Sequence, residues 1–342
     1  MPQLARVGIL CVVRIKHDFV ALLALAVITG CTTGKEACHS EPLQWAAPGA
    51  PPAIWHDKDF LAAQQAGSTC DWSRVVGLAG KLIEHYPNEG IAHFLLGNAY
   101  LEQMQPENAL PQLRRATELE PKVMQPWCEL GLAATSLSNV EESVTAFRKA
   151  SELAPKNAVI WRCLAEALRT HNKYGEAADA YRHALDITPN DAELWFESGK
   201  VLDQMGWTDG VVQALRRATN LKPDYTDAWR ELGIRLSWLG QNIESEQAFR
   251  RAIKLDSQSA FLWAMLGGSL SNQGKSEAAA KACRRSAELN HGDAESWSAL
   301  AEIYSNIGME EEAQEALAQL KSLNPEAAKH FFEARQKEDG RE

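Results

Sequence analysis

A tryptophan recurs every 34 residues between residues 127 and 297, and this spacing constrains the fold more than any other feature of the sequence. A fixed period of this length indicates one supersecondary unit that is repeated and stacked, since a single unit cannot bury its apolar face alone. We number each unit so that the tryptophan stands at position 4, which starts the units at residues 90, 124, 158, 192, 226, 260 and 294. The residues at position 4 are His93, Trp127, Trp161, Trp195, Trp229, Trp263 and Trp297.

The other repeated positions predict two helices in each unit. Positions 4, 7, 8 and 11 share one face of a helix, and positions 20, 24 and 27 share one face of a second helix. Position 8 is Gly or Ala and position 24 is mostly large, so we expect the two backbones to approach closely. Between the helices, position 15 carries residues that tolerate left-handed backbone, namely Asn172, Gly206, Gly240, Gly274 and Gly308. Proline at position 32 ends most second helices. The expected N-caps of the next first helices are Asn157, Asp191, Ser259 and Asp293.

This pattern, W-x2-L-G-x2-Y followed by A-x3-F, A and P, resembles the tetratricopeptide repeat. Seven units match it over residues 90–327, and residues 56–89 resemble a degenerate first unit. The resemblance implies an all-α fold, a right-handed α-solenoid of antiparallel helix pairs. We expect residues 328–342 to form a C-terminal capping helix and a charged tail, with Phe331 and Phe332 covering the open end. Pro111 falls inside a predicted second helix, so that helix is expected to start late or to bend.

The beginning of the chain resembles a bacterial lipoprotein signal. An apolar run at residues 19–28 follows a basic stretch and is too short to cross a bilayer as a helix. The sequence Ile-Thr-Gly-Cys that ends at Cys31 resembles a lipobox, which implies that residues 1–30 are a cleaved signal peptide and that Cys31 is acylated. Residues 31–55 then form a Pro/Gly/Ala-rich tether, and Thr32 favours the outer membrane, facing the periplasm. The alternative is an uncleaved signal anchor with an ordinary cysteine.

The composition argues against several classes of function. A net charge of −10 argues against nucleic-acid binding, which needs a basic surface. No CxxC pair, Ser/His/Asp set or Gly-rich phosphate loop occurs, so we expect no enzyme activity, no metal and no cofactor. We expect Cys128 and Cys163 to be buried thiols rather than a bridge, whereas Cys38 and Cys70 are candidates for a disulfide in an oxidising compartment.

The resemblance places a binding surface on the first helices, which line the concave side in the tetratricopeptide family. Positions 2, 5, 9 and 12 are expected to form its exposed stripe. Phenylalanines there are typical binding anchors, and the arginines and lysine suit an acidic peptide or a carboxylate terminus. The alternative is that the cations pair with Glu166 and Asp203 and only keep this face hydrated. The candidate partner-binding residues are Phe94, Asn98, Arg162, Glu166, Arg169, Phe196, Lys200, Arg230 and Phe261.

We therefore expect a lipid-anchored, non-enzymatic scaffold that binds a protein or peptide partner during assembly of an envelope complex such as a pilus or a secretion system. The alternatives are an accessory protein of polysaccharide export and a regulator of cell-wall enzymes. The sequence leaves the oligomeric state open.

Overall fold

The computed structural model describes residues 53–292 and 294–338. Within this part of the chain a short 3-10 helix, Ala53–His56, is followed by α-helices joined by short turns, without strands. The predicted fold class, all-α and built from consecutive antiparallel helix pairs, is confirmed. The helices are α1 (Lys58–Ser68), α2 (Trp72–His85), α3 (Gly90–Glu102), α4 (Pro106–Leu119), α5 (Met124–Ser136), α6 (Val140–Leu153), α7 (Ala158–Thr170), α8 (Tyr174–Ile187), α9 (Ala192–Gln204), α10 (Thr208–Leu221), α11 (Thr226–Trp238), α12 (Asn242–Leu255), α13 (Ala260–Ser271), α14 (Ser276–Leu289), α15 (Ala294–Asn306), α16 (Glu310–Leu323) and α17 (Pro325–Glu338).

The helices group into two compact units that divide between Ile187 and Thr188. The first unit holds α1 to α8, and the second holds α9 to α17. Within each unit every helix packs against the next helix along the chain, as expected for stacked pairs. From repeat 1 (residues 90–123) to repeat 7 (residues 294–327), each first helix starts at position 1 and each second helix at position 17. None of the helices in the described ranges is long and apolar enough to span a bilayer.

A residue with left-handed backbone joins the two helices of each repeat, as predicted at position 15. The amide of the following residue donates to the carbonyl five residues earlier, which closes a Schellman turn; Trp207 N to Leu202 O is 3.0 Å. Sequence reasoning missed three members of this series, because neither cysteine, methionine nor serine favours positive φ. The residues with φ between 56° and 75° are Cys70, Met104, Ser138, Asn172, Gly206, Gly240, Gly274 and Gly308.

The predicted N-caps are confirmed at three positions. The Asn157 side chain accepts from the amide of residue 159 at 3.1 Å, and Asp191 accepts from that of residue 193 at 2.9 Å. Ser259 accepts from the amide of residue 262 at 3.4 Å, while Asp293 lies outside the described residues. These oxygens satisfy amides that have no partner within the first helical turn.

The expectation that the helix containing Pro111 starts late is wrong. This helix, α4, begins at Pro106 in the same register as the other second helices and continues through Pro111. Pro106 suits the first turn, where no intrahelical donor is needed, and Pro111 removes one hydrogen bond. Leu113, two residues further on, is fully buried, so packing of this helix holds it in place.

Each recurring tryptophan is half-buried and also forms a hydrogen bond. The indole Nε1 of Trp229 donates to the carbonyl of Pro223, at position 32 of the preceding repeat, at 3.0 Å. The other five tryptophans make the same bond over six residues, at 2.9 to 3.3 Å. In repeat 1 the His93 Nε2 lies 3.2 Å from the Pro87 carbonyl, so an imidazole takes the place of the indole. The residue at position 4 therefore fills space and satisfies the carbonyl that follows the preceding second helix.

The small residue at position 8 lies under the large residue at position 24 of the same repeat. A Cβ built on Gly233 would lie 2.8 Å from the ring of Phe249, which is fully buried. This contact confirms the expected close approach of the two helices. Gly199 is different, because its Cβ would meet Ala214 at 3.5 Å, an ordinary van der Waals distance.

The cysteines outside the first segment behave as two sets. Cys128 is buried and Cys163 half-buried, and no disulfide joins them in the described residues, in agreement with the expectation of thiols. Cys70 is disulfide-bonded. Its expected partner, Cys38, lies outside the described residues, so that pairing stays a prediction.

Candidate interaction surfaces on the first helices

The expectation that Phe94 and Asn98 are exposed is wrong. Both lie on α3 and are buried, at 3% and 4% exposure. This helix contacts α2, α4 and α5, and Phe94 belongs to the core cluster of the first unit. Burial of both side chains leaves no exposed surface at positions 5 and 9 of this helix, so neither is an exposed anchor for a partner.

The charged residues predicted on α7 lie close together. Arg162 and Glu166 are one turn apart, with Nε and Oε1 separated by 3.9 Å, at the limit of an ion pair. The Nε of Arg169 is buried and makes no hydrogen bond to any described residue. The alternative, in which the cations of this surface pair with nearby carboxylates, is thus observed for Arg162 and Glu166, although their charged atoms are too far apart for a hydrogen bond.

In the second unit, Phe196 is buried rather than exposed as expected. Its ring centroid lies 5.0 Å from that of Tyr225, which follows the second helix of the same repeat, and only 8% of Phe196 is exposed. Burial, and then the carboxylates around it, raise the pKa of Tyr225 to about 12, so this phenol stays neutral. Lys200 lies over the same phenylalanine at 5.4 Å and donates to Glu197 at 2.7 Å.

The predicted cation Arg230 also has partners of its own. Its Nη1 lies 2.7 Å from Asp227, one turn earlier on α11. Asp203, which we expected to neutralise a predicted cation, is bound instead by Arg235 at 2.9 Å. The cations on the first helices of repeats 4 and 5, namely Lys200, Arg230 and Arg235, therefore each pair with a carboxylate.

Phe261 is the one predicted phenylalanine that is exposed, at 47%. It lies in the first turn of α13, the first helix of repeat 6, and α15 is the first helix of repeat 7. A groove of about 300 Å³ lies between these two helices and was not predicted. Its only sequence signal is the Gly-Gly pair at positions 8 and 9 of repeat 6. The lining residues are Ala264, Met265, Gly267, Gly268, Ser271, Asn272, Cys283, Glu295, Ser296, Ala299, Glu302, Ile303 and Asn306.

The groove combines a small-residue floor with acidic edges. Gly268 has no atom within 4 Å of where a Cβ would stand, so the space above it is open. Glu295 and Glu302 carry the charges, and no lysine, arginine or histidine lines it. Burial raises the pKa of the Cys283 thiol to about 11, so this side chain is neutral. In the described residues no group of three or more His, Cys, Asp or Glu side chains is placed to hold a metal ion.

Family models described as "Tetratricopeptide repeat" match the chain in the register found above. One matches residues 94–158 and 128–192, and another matches residues 192–225 and 294–327, which are repeats 4 and 7. None of the curated proteins matches the chain.

Solved structures of similar fold include those of MamA, YrrB and PilF. A structure titled as that of MamA is 18% identical, with 47% of this chain and 95% of that one covered and a TM-score of 0.46. YrrB, described as a tetratricopeptide-repeat protein with an unusual peptide-binding site, is 20% identical over 52% and 92%, with a TM-score of 0.47. PilF of Pseudomonas aeruginosa is 20% identical over 62% and 97%, with a TM-score of 0.47. At this level of similarity none of the three bears on the partners of this chain.

Proposed function

This chain belongs to the tetratricopeptide-repeat family, and from that premise we propose that it is a non-enzymatic scaffold that holds a protein or peptide partner on its first helices. The observation that carries the proposal is the open groove between α13 and α15, with the exposed Phe261 on the first of these helices. Most side chains of a stacked repeat pack against neighbouring helices. An unfilled groove on the first helices is therefore available to a ligand.

We further propose that the scaffold is anchored by lipid at Cys31 to a bacterial membrane, facing the periplasm at the outer membrane. Support comes from the lipobox-like sequence and the short apolar run before it, which lie outside the described residues. One acyl chain holds a protein only marginally, so the cysteine would carry several. At such a place the partner would belong to an envelope assembly, such as a pilus or a secretion system.

The anchor is tested by metabolic labelling with palmitate in a bacterial host. We expect label on the wild-type chain, none on Cys31→Ser, and release of Cys31→Ser from the membrane fraction. Label that persists in Cys31→Ser would contradict acylation at this residue.

The binding surface is tested by a photo-crosslinking amino acid placed at Phe261 in living cells. The matched control places it at Gln213, which is exposed on the second helix α10. We expect one discrete adduct from residue 261 and none from residue 213. Equal adducts from both positions, or none from residue 261, would contradict a partner on the first helices.

A further inference from the structure

The groove of repeats 6 and 7 has a shape that follows from missing side chains. At position 9 of repeat 6, where repeat 4 has Lys200 and repeat 5 has Ile234, the chain has Gly268. Position 5 of repeat 6 is Ala264, and Ala299 faces the groove from α15. Three small residues on two adjacent helices leave a channel wide enough for one extended side chain, with the peptide backbone lying above it.

The groove is lined by both apolar and polar side chains, and its charged lining residues are acidic. Met265 and Ile303 supply apolar surface, and Ile303 is itself buried at 8% exposure. Glu295 and Glu302 stand at positions 2 and 9 of repeat 7. No cation of the described residues lies within ion-pairing distance of the Glu302 carboxylate. A groove that combines apolar surface with exposed carboxylates matches a long aliphatic stem with a positive head, the chemistry of lysine and arginine.

The first helices of repeats 4 and 5 differ from this groove, because they carry cations as well as carboxylates. Lys200 bonds Glu197 at 2.7 Å, and Arg230 bonds Asp227 at 2.7 Å, so charge on that stretch is already balanced locally. The cations on the first helices of repeats 4 and 5 are therefore balanced by nearby carboxylates, whereas Glu302 in repeat 7 has no cation beside it among the described residues. This difference favours a basic partner at repeats 6 and 7.

We propose that the groove between α13 and α15 binds a peptide segment of a partner protein by taking in one lysine or arginine side chain, with its head group at Glu302. This inference rests on the proposed scaffold function and names the chemistry of its partner. It differs from the sequence-based expectation of an acidic peptide at the predicted cations, which stays a prediction.

The experiment begins with selection of random displayed peptides on the full chain in detergent, followed by calorimetric Kd measurements on a selected peptide. We expect selected peptides to contain a lysine or arginine whose replacement by norleucine weakens binding about tenfold. Glu302→Gln should weaken binding about two- to fivefold, the effect of one partly exposed ion pair. Gly268→Leu should fill the groove and weaken binding about tenfold or more, without loss of fold, since its Cβ enters open space.

Two variants serve as matched controls. Gly77→Leu adds the same side chain at another exposed helical glycine with open space around it, and Glu277→Gln removes a charge from the second helix of repeat 6. Both should leave Kd within about twofold, as surface changes away from a site do. Circular dichroism of each variant reports its fold, and Glu302→Gln keeps the test valid if Gly268→Leu unfolds.

The outcomes separate this inference from the general scaffold. Peptides that bind without a basic residue, or that bind Gly268→Leu and Glu302→Gln unchanged, would overturn the basic-peptide groove and leave the scaffold standing. A chain that selects no peptide and yields no crosslink at Phe261 would overturn both.

Discussion

Two glycines at the same position of adjacent repeats should respond in opposite directions to the same substitution. Gly199 and Gly233 both occupy position 8 of a first helix in the second unit. Alanine in a helix interior is favoured over glycine by about 0.5–1 kcal/mol, because glycine loses more backbone freedom on folding. That gain is common to both sites, so any difference between them comes from packing alone.

The packing differs sharply. At Gly199 the new methyl group meets Ala214 at 3.5 Å and Leu215 at 3.8 Å, which are ordinary contacts. We therefore expect Gly199→Ala to raise the free energy of unfolding by about 0.5–1 kcal/mol. At Gly233 three ring atoms of Phe249 lie within 2.8–2.9 Å of the new Cβ, and the ring is fully buried. Overpacking of this kind costs about 1–3 kcal/mol, which exceeds the gain, so Gly233→Ala should destabilise the chain by up to about 2 kcal/mol.

Urea unfolding followed by far-ultraviolet circular dichroism measures both variants against the wild type. Repeat proteins open locally, so hydrogen exchange read by mass spectrometry should place the effects in repeats 4 and 5. The reasoning would be refuted if Gly233→Ala were as stable as Gly199→Ala, because the contact with Phe249 would then have no energetic consequence.

Three further predictions address the turn, the tryptophan and a clustered carboxylate. Met104→Gly should be about 1 kcal/mol more stable than Met104→Ala in urea unfolding, because alanine keeps the strain of a φ of 58° and glycine does not. The native side chain is 84% exposed, so its removal costs little packing in either variant. Equal stabilities would contradict strain at this turn. Trp229→Phe should lower the free energy of unfolding by about 0.5–1.5 kcal/mol, because it removes the hydrogen bond to the carbonyl six residues earlier. Trp238→Phe is the control and should change the free energy of unfolding little, because that ring is 73% exposed. Equal losses in the two variants would contradict the role of the bond. Hydrogen bonds, first from Lys275, lower the pKa of Glu246 from 4.5 to about 2, so its contribution to stability is full above pH 4.5 and is lost as pH falls toward 2. Glu246→Gln should flatten the stability profile in that window, and an unchanged profile would contradict the assignment.

The repeat predicts the framework because the same local choices are made many times. The period places every first helix and every second helix of the seven repeats, and it predicts the caps and the glycine turns. The period also indicates left-handed backbone at Met104 and Ser138, because both stand at position 15, where later repeats have glycine. Residue type argued against left-handed backbone there, but the turn is closed by bonds between backbone atoms and by the packing of both helices, so position outweighs type.

The surface was harder to predict, because exposure on a helix depends on elements that are distant in sequence. A period of 3.6 residues says which side chains share a face, without saying whether another element covers that face. Tyr225 covers Phe196 across 29 positions of the chain, and neighbouring helices enclose Phe94. The pattern does not say which elements cover a face, so the pattern alone assigned both phenylalanines to the wrong environment.

Charged and aromatic side chains attract attention in a sequence, but in a stacked repeat they are the groups most easily satisfied by their own neighbours. Lys200 and Arg230 each find a carboxylate one turn away, within their own helix. A groove, by contrast, arises where side chains are absent, as at Gly268 and Ala264, and its charge comes from a facing helix 34 residues further along. Recognition by such a site depends on one residue that leaves space and another that supplies a carboxylate, and neither has a distinctive signature alone. For this reason the pair Gly268 and Glu302, rather than the predicted cations, is where substitution should most change the choice of partner.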